Sequence, residues 1–168
     1  IEDIESYVVP EDITEECMKD SEILPVSGGV YVVGKNNFPG VYFLSEDGSK
    51  SKVVIREDIH FHSLTKNSDG TVLVAGGRAY SQRYQIGRLV LLSSEEPEII
   101  ECFKLPYCIY AANRAHDDSS YFAVGGTSLL RIDSKGNHKV VYGAIGMGWD
   151  VPLAPSWLFV NVNSVVAC

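Results

Sequence analysis

His60-Phe61-His62 is the stretch of this chain closest to metal chemistry. Residues i and i+2 of a strand face the same side, so both imidazoles would project together. A metal site would need a third ligand, with Asp58 or Asp150 as candidates. The simpler expectation is that the histidines hydrogen-bond locally, and no cofactor or metal is expected. His116-Asp117-Asp118 precedes an apolar run, where turn chemistry wants Asp, and reads as a turn. Ser, His and Asp are present, but no G-x-S-x-G elbow is, so a serine nucleophile has no support. The glycine-rich stretch Gly143–Gly148 runs into Trp149-Asp150-Val151-Pro152, whereas a dinucleotide loop must open a helix. No carboxylate pair is marked as a glycosidase site by its surroundings. The four cysteines (Cys17, Cys102, Cys108, Cys168) include no CxxC pair, which argues against structural zinc; they read as reduced and mostly buried. An enzyme is therefore not expected.

The elements that would position these residues are short strands. Apolar runs, most of them glycine-tagged, recur along the chain: Val30–Gly34, Val72–Gly76, Tyr121–Gly125 and Leu158–Val162. A spacing of roughly 40–50 residues, with several strands per unit, is the signature of β-propeller blades. Each of the first three units holds four runs rich in Val, Ile, Tyr and Phe, separated by Gly, Asp and Asn. The fourth unit has Met147–Leu153, Leu158–Val162 and Ser164–Ala167 but lacks an outer strand. Glu5–Val9 is the right length to supply it. The expected fold is therefore all-β, one domain over 1–168, a small four-bladed propeller with blades at 21–57, 58–106, 107–144 and 145–168, the last closed by residues 4–9. Such closure would hide strand edges. A piece of a larger propeller is the alternative. One short helix is expected over Glu11–Asp20, with Asp12 and Glu15 as a capping box.

Asp69-Gly70-Thr71-Val72-Leu73-Val74-Ala75-Gly76-Gly77 resembles the start of a kelch-type blade, a turn feeding an apolar strand that ends in Gly-Gly. Ser120–Gly126 is similar. The resemblance covers about two of the four units and implies the propeller architecture. It implies no particular family, because the downstream Tyr and Trp of kelch blades and the Gly-His and Trp-Asp pairs of WD repeats are not in matching places. The double glycines are expected to end the strands sharply.

In that architecture the connections between second and third strands share a face with those between units. On it fall Asn36, Asn37 and Phe38, then His60, then Arg78, Tyr80, Gln82, Arg83 and Tyr84, then Tyr107 and Trp149. Tyr, Trp and Arg are the types most enriched at binding hot spots, so these form the candidate partner-binding set. The other face collects acidic turns such as Glu46-Asp47, Glu95-Glu96-Pro97-Glu98 and Asp117-Asp118. The formal charge of −8 argues against nucleic-acid binding, since phosphate contacts need clustered Lys and Arg. It suits solubility, or a basic partner. No apolar run approaches the roughly 18–20 residues of a membrane helix, and the acidic start (Glu2, Asp3, Glu5) does not resemble a signal peptide. A cytoplasmic protein is expected. The functional expectation is a non-catalytic protein-binding module, in its narrower form an inhibitor or immunity protein that neutralises a toxin or nuclease. A carbohydrate-binding, lectin-like domain is the alternative.

Overall fold

The computed structural model describes residues 21–34, 40–47, 51–55, 59–80, 84–115, 119–125, 128–142, 158–160 and 165–167. Among these residues fourteen strands follow in order, and the all-β class stands. The first sheet holds β1 (Ser21–Val26), β2 (Gly29–Gly34), β3 (Val41–Ser45) and β4 (Ser51–Ile55). The second holds β5 (His60–Lys66), β6 (Val72–Ala79), β7 (Gln85–Leu92) and β8 (Ile99–Leu105). The third holds β9 (Ile109–Arg114), β10 (Ser120–Gly125), β11 (Ser128–Asp133) and β12 (His138–Tyr142). The strands β13 (Leu158–Val160) and β14 (Val165–Ala167) pair as a hairpin.

The ring-closed, four-bladed propeller is not what the chain forms. Among the described residues it makes three separate four-stranded antiparallel sheets, none of them closed. The physical reason lies in the pairing. Every ladder joins strands that are neighbours in sequence, and among the described residues no ladder joins one sheet to another. A repeat dictates that each unit makes a sheet; it carries no information on how many units meet or whether the last meets the first. The strand at residues 5–9 and the helix at 11–20 lie outside the described residues, among which no helix occurs.

Burial explains why the central strands read as continuous apolar runs. A sheet covered on both faces needs apolar residues at every position, not every second one. In β6, Val72 and Val74 join a core shared with the first sheet, which contains Tyr31, Val33, Val41, Phe43 and Phe61. Leu73 and Ala75, pointing the other way, join a second core with Ile109, Tyr121, Ala123, Leu130 and Ile132 of the third sheet. The strand β7 divides likewise, Val90 and Leu92 to one core, Leu89 and Leu91 to the other. The second sheet is thus the filling between two others.

The glycines of β6 do not end it. Gly76 and Gly77 sit inside the strand, which continues through Arg78 to Ala79. Their role is closeness. A Cβ on Gly77 would stand 2.7 Å from the Cα of Cys108, and one on Gly87, its partner across the β6–β7 ladder, 2.0 Å from the carbonyl oxygen of Tyr107. The bare glycine pair lets the chain entering β9 lie directly on the second sheet.

The strands β5 and β9 run side by side in the same direction. The His62 and Tyr110 rings stand 5.2 Å apart, and further along Thr65 Oγ1 donates to Ala112 O at 3.2 Å. The long β6–β7 connection and the β8–β9 connection therefore share one end of the molecule. The opposite end carries the tight turns, tied between sheets by Tyr31 Oη to Ser93 O (2.6 Å), Ser27 Oγ to Ser94 O (3.1 Å) and the Arg114–Asp69 ion pair.

Candidate functional site

The end of the β6–β7 hairpin brings three of the expected residues together. The ladder runs without a shift from Val72↔Leu92 to Ala79↔Gln85, and Tyr80 N donates to Tyr84 O at 3.0 Å, one step beyond it. This fixes the two tyrosines as a facing pair. Their ring centroids lie 5.3 Å apart with a 40° tilt, and the Arg78 guanidinium carbon sits 4.9 Å from the Tyr80 centroid. Each such contact contributes on the order of 0.5–1 kcal/mol. Yet Tyr80 remains 47 % and Tyr84 61 % exposed. The apolar area is displayed on an ordered scaffold, so little rotamer freedom is left to lose on docking. The tilt between the rings denies a sugar one continuous flat platform. Gln82 and Arg83, between the tyrosines in sequence, lie outside the described residues, as do Asn36, Asn37, Phe38 and Trp149.

His60 and His62 open β5, next to this hairpin. The β5–β6 register shifts between Phe61 and Ser63, which leaves His62 as the extra residue of a bulge. That bulge lets Phe61 and Leu64, three apart, both enter the core shared with the first sheet. The His62 ring lies against Tyr110, with Nε2 3.9 Å from Cys108 Sγ, and the two imidazole centroids are 6.4 Å apart. His60 Nδ1 is buried with no hydrogen-bond partner among the described residues.

Cys108 beside a histidine invites comparison with a thiol nucleophile, but its environment opposes that role. Burial pushes the thiol pKa up, and the hydrogen bond with Tyr110 only partly pulls it back. A neutral thiol is a poor nucleophile. Burial, with a smaller effect of Cys108, pushes Tyr110 up to about 12. Gln85 Oε1 accepts from Cys108 N at 3.1 Å, tying the start of β7 to the entry of β9. Among the described residues no group of three or more His, Cys, Asp or Glu is placed to hold a metal ion. Asp58 and Asp150 are outside them.

Tyr107 does not join the hairpin cluster. It packs against the core between the second and third sheets, its ring edge-on to His138 at 5.3 Å and 85°. It is a residue of the seam. Sequence reasoning missed Cys108, Tyr110 and Gln85 as neighbours of His62. The i, i+2 spacing of Cys108 and Tyr110 on an apolar strand was the available signal.

At the opposite end the acidic residues serve their turns. Ser45 Oγ donates to Asp47 Oδ1 at 2.7 Å, and Ser93 Oγ accepts from the amide of Glu95 at 3.3 Å. Asp117 and Asp118 lie outside the described residues. No helix among the described residues is long and apolar enough to cross a membrane. No protein-family model and no curated protein matches this chain.

Proposed function

We propose that this protein is a non-catalytic binding module that docks another protein through the Arg78–Tyr80–Tyr84 end of the β6–β7 hairpin. The observation that carries the reading is the coexistence of exposure and order there: two tyrosines about half exposed or more, held ring to ring under an arginine. Tyr and Arg dominate hot spots because they give large contact area and several kinds of contact at low entropic cost. The narrower reading, an inhibitor that caps a basic toxin or nuclease, draws on the formal charge of −8, which would steer a cationic partner by its long-range field.

The test compares capture by the wild-type chain and a Tyr80→Ala, Tyr84→Ala variant from the source lysate, with the thermal melt of each recorded. The expected result is one stoichiometric protein retained by the wild type and weakened about 100-fold or more by the variant, at an unchanged melt. Equal retention by both chains would refute the site. Retention of no protein by either would refute the function.

A further inference from the structure

The third sheet carries a cavity of about 330 Å³ at the turn end, away from the hairpin tyrosines, lined by Ser119, Ser120, Arg131, Asp133, Asn137, His138 and Lys139. This is at the lower end of the range for small-ligand sites, roughly 300–1,000 Å³. Arg131 and Lys139 are direct partners across the β11–β12 ladder, so their side chains rise from the same face. Like charges placed directly opposite one another oppose pairing of the strands. Here nothing neutralises them: neither makes an ion pair among the described residues. Among the described residues Asp133 is the one carboxylate in the lining, and the turn has claimed it. Its Oδ1 accepts from the amides of Lys135 and Asn137, and its Oδ2 from Asn137 Nδ2, all at 2.9 Å. These bonds, that of the Asn137 side chain foremost, hold its carboxyl below the usual range.

The remaining donors are oriented. Arg131 Nε donates to Ser120 Oγ at 3.1 Å, which fixes the guanidinium and leaves its two terminal nitrogens uncommitted among the described residues. Ser120 is only 2 % exposed, and because its oxygen accepts from Arg131 its own O–H is left to donate. His138, next to Lys139, also borders the cavity, while its ring packs edge-on against Tyr107. In a chain of formal charge −8, two unneutralised cations and a buried hydroxyl converge on one concavity.

We propose that this cavity binds a phosphate group. The terminal N–H groups of Arg131 would fork two oxygens, while Lys139 and the Ser120 hydroxyl would meet the third. Three donor groups match the three terminal oxygens of a phosphate, where a carboxylate has only two. The volume leaves room beyond the anion for the body of a small phosphomonoester. Such a group could also arrive as free phosphate, and the test separates the two sources.

Amide NMR spectra of the full chain would be titrated with glucose 6-phosphate, inorganic phosphate, glucose, and sodium chloride at matched ionic strength. Saturable shifts are expected at Ser119, Ser120 and residues 131–139 with the two phosphates only. Arg131→Gln and Lys139→Gln, both at exposed positions, should each weaken binding about tenfold or more, with spectra otherwise unchanged. Tighter binding of glucose 6-phosphate assigns the site to a phosphomonoester, and equal binding of inorganic phosphate assigns it to the free anion; both uphold phosphate recognition. Shifts that sodium chloride reproduces, or binding untouched by the two substitutions, would overturn it.

Discussion

Gly87→Ala should damage the protein more than any ordinary surface substitution, although it adds a single methyl group. The new Cβ would stand 2.0 Å from the carbonyl oxygen of Tyr107 and 3.0 Å from Ile109 Cγ1, where ordinary contact is 3.4–4 Å. Either β7 or the chain entering β9 must retreat by about 1 Å or more, and overpacking of this kind costs about 1–3 kcal/mol, the upper end applying where the obstacle is backbone. Retreat also strains the Gln85–Cys108 hydrogen bond and the glycine contact at Gly77. For a chain of this size, about 3 kcal/mol lowers the melting temperature by roughly 6–12 °C. The assay is a thermal melt followed by circular dichroism, with urea unfolding alongside. Gly70→Ala supplies the comparison. There the backbone has φ +87° and the nearest atom is the mobile Ser94 Oγ at 3.3 Å, so the cost is conformational, about 1–2 kcal/mol. The larger loss should belong to Gly87→Ala. A Gly87→Ala melt within about 2 °C of wild type, a shift worth less than 1 kcal/mol, would refute the argument that these glycines exist for close approach.

Two further predictions concern titrating groups. The Asp69 carboxyl is held below its usual pKa, first by the hydrogen bond from the Thr71 side chain, with further help from Arg114. Its contribution is therefore complete above the unfolded value of about 4 and lost as pH falls through the lower folded value. The stability gap between wild type and Asp69→Asn, read from urea midpoints, should be larger at pH 7 than at pH 3; an equal gap at both would disprove the linkage. Cys102 is exposed while Cys108 is buried with its thiol pushed up. Iodoacetamide should accordingly modify Cys102 in the native protein and reach Cys108 only in denaturant, as peptide mass spectrometry would show, and equal labelling rates would contradict the burial argument.

Local chemistry was legible in the sequence, and assembly was not. Runs such as Ser120–Gly125 and His138–Tyr142 are strands because β-branched and aromatic residues sit between turn formers like Asp69-Gly70 and Lys135-Gly136. Turn and strand preferences act over a few residues, so a single chain displays them. Ring closure depends on the angle at which whole sheets meet, which no residue encodes alone. The same limit governs the site. Tyr80 and Tyr84 were legible as a pair because a hairpin joins them. Tyr107 reads identically as an exposed aromatic, and its partial burial depends on the core between two sheets, onto which its backbone is seated at Gly87. The His62 neighbourhood needed both a bulge and a contact across 46 residues of chain.

The strictly sequential strand order has a kinetic consequence. All strands within a described sheet pair through the next segment of chain, so the loop-closure entropy of each ladder stays small. Among the described residues no ladder waits for a distant partner. On a ribosome each sheet has all its strands as soon as its own segment has emerged, and the second sheet can roof the first before the third is made. Each apolar face left by one sheet is thus covered by the next sheet in the chain, an order suited to folding as the chain emerges.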